Sequence, residues 1–129
     1  MNFSKFTVVV ITTFFSTIAL SQSVTKVTEN VEANFYVRND TVRKNGNSVE
    51  FWQITDFKQA RQNKKGESYY SMDQRLVIDC GNSTQNLTFM KVYSSPMASG
   101  NLIASGSMSQ KNPIPYGTSL EVIKNFVCR

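Results

Sequence analysis

The sequence predicts an α+β domain: an antiparallel β-sheet of five or six strands with one carboxyl-terminal helix packed on it, tied by one disulfide. Three observations carry this prediction. Short β-capable runs separated by turn residues follow one another from Phe35, the first pair around Asn45-Gly46. The run from Ser68 to Cys80 alternates at period two, and from Thr118 to Cys128 the apolar residues switch to helical spacing. At 129 residues, with 40% hydrophobic and 18% charged residues, the chain has material for one domain with a core.

The amino terminus reads as an export signal. Lys5 is the only charge before an apolar stretch from Phe6 to Leu20, and Ala19 and Ser21 stand at the spacing a signal peptidase reads. Cleavage is expected after Ser21. The stretch falls short of the ~20 residues a membrane span needs, so no transmembrane segment is expected in the mature chain. No cysteine lies near the cleavage point to accept a lipid. Residues 22–34 are polar, without strong period, and read as a flexible leader to a domain over 35–129.

Within that domain, Phe35 to Arg38, Thr41 to Lys44 and Asn47 to Thr55 read as strands. Asn45-Gly46 predicts a type I′ hairpin turn, since both central residues must tolerate positive φ. Val49 and Phe51 share one face of their strand while Trp52 and Ile54 share the other, so both faces are expected to be partly covered. The basic stretch from Asp56 to Glu67 reads as an exposed hairpin loop. In the strand after it, Tyr70, Met72, Leu76, Ile78 and Cys80 face the core; Tyr69, Ser71, Asp73, Arg75, Val77 and Asp79 face away. Asn86 to Tyr93 returns with Leu87, Phe89 and Tyr93 on one face, and Asn101 to Ser105 is a short strand. Thr118 and Glu121 stand at capping-box spacing ahead of a Leu120, Ile123, Val127 stripe with Phe126 at its edge.

Export changes the meaning of the two cysteines. In an oxidising compartment an even pair in a small domain is most simply one bridge, so Cys80 is expected to bond to Cys128. The absence of histidine excludes imidazole-dependent hydrolysis and the common zinc sites. No metal or other cofactor is expected. Glu50, Asp56, Asp73 and Asp79 are scattered along strands, without the defined separation that paired-carboxylate catalysis requires. The expectation is a protein that is not an enzyme.

Taken in order, several residue groups resemble the bacterial surface-adhesin protein E family. They are the Asn45-Gly46-Asn47 turn, the Trp52 strand ending at Asp56-Phe57, Tyr70-Ser71, Asp79-Cys80, Tyr93-Ser94 with Pro96-Met97 and Gly100, Pro115-Tyr116-Gly117-Thr118-Ser119 with Glu121, and Cys128. The resemblance runs from about Tyr36 to Cys128. It implies a small sheet-and-helix domain with the same disulfide, exported by Gram-negative bacteria, and a cell-surface role in binding host extracellular-matrix proteins.

Binding candidates follow from charge. Without Lys5 the mature chain carries thirteen of the fourteen lysines and arginines against nine acids. They concentrate at Arg43 and Lys44 and at Lys58, Arg61, Lys64 and Lys65, where a basic loop would attract acidic host proteins or sulfated glycans by its field. The plainer reading is that these side chains solvate a hairpin and blunt a sheet edge. Nucleic acid is not an expected partner, because the aromatic residues do not cluster with the charges. Trp52, Phe57, Tyr69 and Tyr70 suit either an exposed aromatic patch or cross-strand packing. A homodimer would form through a sheet face or edge. The alternative to adhesion is a periplasmic accessory or inhibitor protein, for example one resembling lysozyme inhibitors.

Overall fold

The structure, a computed structural model, describes residues 24–129. The expected signal sequence 1–21, with Gln22 and Ser23, lies outside the described residues. The β-capable runs form seven strands: β1 (Val24–Glu29), β2 (Ala33–Arg38), β3 (Arg43–Asn45), β4 (Ser48–Gln62), β5 (Ser68–Asp79), β6 (Thr84–Ser95) and β7 (Ser99–Pro113). Helix α1 (Ser119–Val127) follows. All pairings are antiparallel, in the order β1-β2-β4-β5-β6-β7. Strand β3 pairs with the start of β4 and β2 with its middle, so the two lie end to end along one side of β4. A 3-10 turn at Asn39–Thr41 separates them, taking Thr41 out of the strand expected there.

The first hairpin forms where expected, with a different turn. Asn45 pairs with Ser48, which makes Gly46-Asn47 the central residues, and only Gly46 has positive φ, at +61°. One left-handed residue at the first central position is the requirement of type II′.

The core lies between one face of the sheet and α1. Val37, Val49, Phe51, Leu76 and Ile78 meet Ile114, Ile123 and Val127, all buried, with Leu87, Leu120 and Phe126 packed at the margin. Each fully buried side chain of this size contributes about 1.5–3 kcal/mol. The helix starts as its capping pair predicts: Thr118 Oγ1 accepts from the Glu121 amide, and Glu121 Oε1 accepts from the Gly117 amide. Cys80 and Cys128 are joined, so the end of α1 is fastened to the turn after β5. On the chain-entropy model a closed loop of 48 residues stabilises the fold by about 4 kcal/mol.

Three expectations are corrected. Residues 24–29 of the leader are a strand, paired with β2 from Val24 opposite Arg38 to Glu29 opposite Asn34. Val24, Thr25, Val27 and Thr28 are β-branched residues on an edge strand, each only half-buried, with Val27 packed at the margin of the core, so the strand pairs without a buried period. The expected loop from Asp56 to Glu67 is strand as far as Gln62; the turn proper is 63–67, clamped by Asn63 Oδ1, which accepts from the Lys65 and Glu67 amides. Pairing with β5 breaks after Asp56–Ser71 and resumes at Arg61–Tyr69 and Gln62–Ser68, so the strand persists past a bulge of residues 57–60 while apolar content falls. The short strand 101–105 lies near the start of β7, which is almost wholly exposed; beyond Ser105 only Met108 is large and apolar, so nothing in the hydropathy marks the strand's length.

Candidate functional site

The basic residues do not form one patch. Lys44 pairs across from Val49 and Lys58 follows nine residues later on β4, which at strand rise separates the two groups by about 30 Å. Most of them are also engaged. Arg43 donates to the carbonyls of Asp40 and Val42, and Lys44 Nζ donates to the carbonyl of Arg129. Lys58 pairs with Glu29 at 2.8 Å and Arg61 with Glu32 at 3.0 Å, both acids supplied by the segment read as a leader. The guanidinium of Arg61 also lies 4.5 Å from the centroid of Phe57. Lys64 and Lys65, on the Asn63 turn, make no ion pair among the described residues.

The sheet's other face, away from α1, carries the densest cluster of contact-forming side chains. Trp52, Arg75 and Phe89 lie directly opposite one another on β4, β5 and β6, and Ile54, Asp73 and Lys91 form the next rung. The Trp52 and Phe89 rings are 5.9 Å apart and tilted by 57°. Arg75 lies 6.0 Å from the Trp52 centroid and 5.9 Å from that of Phe89, and Lys91 Nζ is 5.1 Å from Trp52. Cations over these faces are held by the ring quadrupoles. Tyr36 of β2 stands at the end of the second rung, opposite Ile54, and Arg38, two residues on, reaches Asp73 with a two-pronged hydrogen bond at 3.2 and 3.0 Å.

The sequence placed Phe89 on the same face as Leu87, and the structure separates them. The register shifts beside Thr88: Leu76 pairs with Leu87, while Arg75 pairs with Phe89. Thr88 Oγ1 accepts from Arg75 Nε and donates to the Arg75 carbonyl, fixing this bulge. Leu87 therefore joins the core while Phe89 turns to Trp52. Of the two readings of Trp52, Phe57, Tyr69 and Tyr70, packing describes three: Trp52 packs with Phe89 and Phe57 with Tyr69, the latter edge-on at 5.7 Å, while Tyr70 is exposed.

Each of the four scattered carboxylates has a structural task. Asp73 holds Arg38, Glu50 stands 3.6 Å from Arg75, and Asp56 Oδ1 accepts from the Met97 amide. Asp79 accepts from the Asn82 amide, the Asn82 side chain and the Gly81 amide, bonds that hold its carboxyl below the ordinary range. Glu29 is likewise lowered, first by the hydrogen bond from Lys58 and then by the charge of Lys26. Among the described residues no group of three or more His, Cys, Asp or Glu is placed to hold a metal ion.

The turn joining β6 to β7 falls at 96–98, inside the stretch from Ser94 to Gly100 that the residues mark as a turn, but the conformation at its centre is not one these residue types announce. Met97 and Ala98 both have positive φ, 58° and 54°, which costs L-residues about 1–3 kcal/mol each. Two side chains hold them there: Asp56 accepts the Met97 amide at 3.0 Å and Ser71 Oγ the Ala98 amide at 2.8 Å.

This fold is shared with known proteins. The model of the surface-adhesin protein E family matches residues 23–129. The chain belongs to that family. The match begins at the strand that the sequence reading assigned to a leader, so the family domain includes β1. Two solved structures of Haemophilus influenzae protein E share the fold. Crystal form II has a TM-score of 0.67 at 14% identity, covering 82% of this chain and 87% of that one; another form has 0.63 at 14%, covering 82% and 83%. Protein E from non-typeable Haemophilus influenzae aligns with a TM-score of 0.58 at 13% identity, over 83% of this chain and 84% of that one. No curated protein sequence matches. Among the described residues no helix is long and apolar enough to cross a membrane.

Proposed function

We propose that this family member is a non-enzymatic adhesin, exported by a cleaved signal sequence over residues 1–21, that binds host extracellular-matrix proteins. Its contact surface is the open sheet face around Trp52, Phe89, Arg75 and Lys91, seconded by the free charges of Lys64 and Lys65. The observation that carries the reading is family membership across residues 23–129. The face supports it because Trp, Phe and Arg are the residue types enriched at protein contacts, and here each is held in place by its neighbours before a partner arrives. The carboxylates support the non-enzymatic part, since each is committed to a structural bond.

The test has two stages. Protease accessibility on intact cells, with periplasmic and outer-membrane markers, should show digestion of the mature protein. Binding to a panel of purified matrix proteins should then weaken at least about tenfold in Trp52→Ala, the loss typical of an interface anchor. Reversal of Lys64 and Lys65 to Glu should slow association and lower its salt dependence. Full protection until the outer membrane is opened, or unchanged affinity in all variants, refutes the reading. Tyr116, 94% exposed in the segment leading to α1, is the observation that favours a periplasmic inhibitor if protection is found, because such a side chain can enter an enzyme cleft.

A further inference from the structure

We propose that the cleft between the sheet and the amino-terminal half of α1 is a binding site for a neutral peptide segment carrying one large apolar side chain. The inference does not depend on where the protein is displayed. The cleft has a volume of about 440 Å³ and opens beside the β1–β2 turn. Its floor comes from Phe35, Met72, Leu76 and Leu87, and its wall from Leu120 and Ile123 of the helix. That volume lies in the range of sites that take ligands of moderate size.

What points to a peptide is the polar part of the lining. Four amides, Gln53, Gln74, Gln85 and Gln110, come from four successive strands of the sheet, and the charged group in the lining is Glu32 at the turn. Gln53 is only 6% exposed. Its Nε2 donates to Gln74 Oε1 at 3.2 Å and to Thr55 Oγ1 at 3.4 Å, while its own Oε1 is buried with no partner. Leaving a buried acceptor unmatched is costly, so a ligand donor that draws the Gln53 amide round toward the cleft relieves that cost. Exchanging oxygen and nitrogen in both Gln53 and Gln74 moves the deficit to a Gln53 N–H instead. A peptide group carries both N–H and C=O and answers either orientation. An anion finds no cation in the lining among the described residues. Val31, 92% exposed in the β1–β2 turn between two lining residues, offers the segment a further apolar contact at the mouth.

The test uses the isotope-labelled, disulfide-bonded protein and five probes: N-acetyl-phenylalanine N-methylamide, its glycine analogue, phenylpropionate, a capped Ala-Phe-Ala tripeptide and benzyl alcohol. Titration with the phenylalanine compound should shift the side-chain amide signals of Gln53 and Gln74 and the signals of Leu120 and Ile123 saturably. The glycine analogue should bind at least about tenfold more weakly, having no side chain to bury, and phenylpropionate should leave the amide signals unmoved. A capped Ala-Phe-Ala tripeptide should bind more tightly than the single residue. Gln53→Met, which removes the unmatched group, should weaken binding about fivefold. Leu120→Gln, at the half-buried rim, should do the same and keeps the test intact if the Gln53 variant does not fold. Absence of saturable shifts overturns the proposal. So does equal binding of phenylpropionate, or a tripeptide no better than a neutral benzyl alcohol, which would mark a small-molecule pocket.

Discussion

Removing the Cys80–Cys128 bridge should lower the melting temperature by about 10–20 °C without changing the folded architecture. The bond closes a loop of 48 residues, and the entropy it withholds from the unfolded chain corresponds to about 4 kcal/mol. With an unfolding entropy of ~2.1 cal/mol/K per residue, a domain spanning residues 24–129 loses roughly 0.2 kcal/mol per degree near its midpoint, which converts 4 kcal/mol to about 18 °C. The helix retains Ile123 and Val127, both buried, and the Thr118 cap, so the folded state has other reasons to keep α1 in place. The assay is a far-ultraviolet circular dichroism melt of Cys80→Ala, Cys128→Ala, the double variant, and the unmodified protein with reductant. Because either substitution breaks the same link, both single variants and the double should lose the same amount. Additive losses would show that the sulfurs act through packing, and a drop below about 5 °C would refute the cross-link argument.

Other expectations follow from the same structure. Gly100 has φ +79°, and a Cβ there would stand 2.4 Å from Ser95 Oγ and 2.7 Å from Ser94 Oγ, so Gly100→Ala should cost at least about 1 kcal/mol in chemical denaturation. Asp73→Asn should cost about 2–4 kcal/mol, because Arg38 loses its two-pronged partner in a half-buried position; replacing both by apolar residues should recover most of it. Glu29 and Asp79 titrate below their unfolded values of 4.5 and 3.8. Their stabilisation is present above those values and is lost as pH falls through the lowered folded ones, so acid melts should show midpoints declining below about pH 4. Glu29→Gln and Asp79→Asn should each flatten that decline.

The periodic elements were legible in the residues. Ser68 to Asp79 alternates because only one of its faces meets the helix, and the Leu120, Ile123, Val127 stripe is spaced for a helix lying on a sheet. Strands β1 and β7 were not, for one reason: each is an edge strand with no face fully buried, so pairing is held by backbone bonds that hydropathy does not record. Within the candidate site, Trp52 was visible as a face-sharing partner of Ile54. Arg75 was visible among the β5 residues facing away from the core, but Phe89 and Lys91 were not, because the bulge at Thr88 moves Phe89 across the sheet and a one-residue shift reverses every face assignment beyond it.

Fold class, the Cys80–Cys128 pair and the helix cap were thus settled by local composition, spacing and export context, properties carried by neighbouring residues in the chain. Which charges stay free, which carboxylates are committed and where a buried amide is left unmatched depend on strands brought together across long separations. Glu29 and Glu32 neutralise Lys58 and Arg61 only because β1 and the turn after it fold back beside β2, whose other neighbour is β4. Gln53 Oε1 is left unmatched because the nearby donors are turned elsewhere, Thr55 Oγ1 to Gln74 Oε1 and Gln74 Nε2 to Met72 Sδ. Both are outcomes of register, and register is an energy of the whole sheet rather than of any one segment.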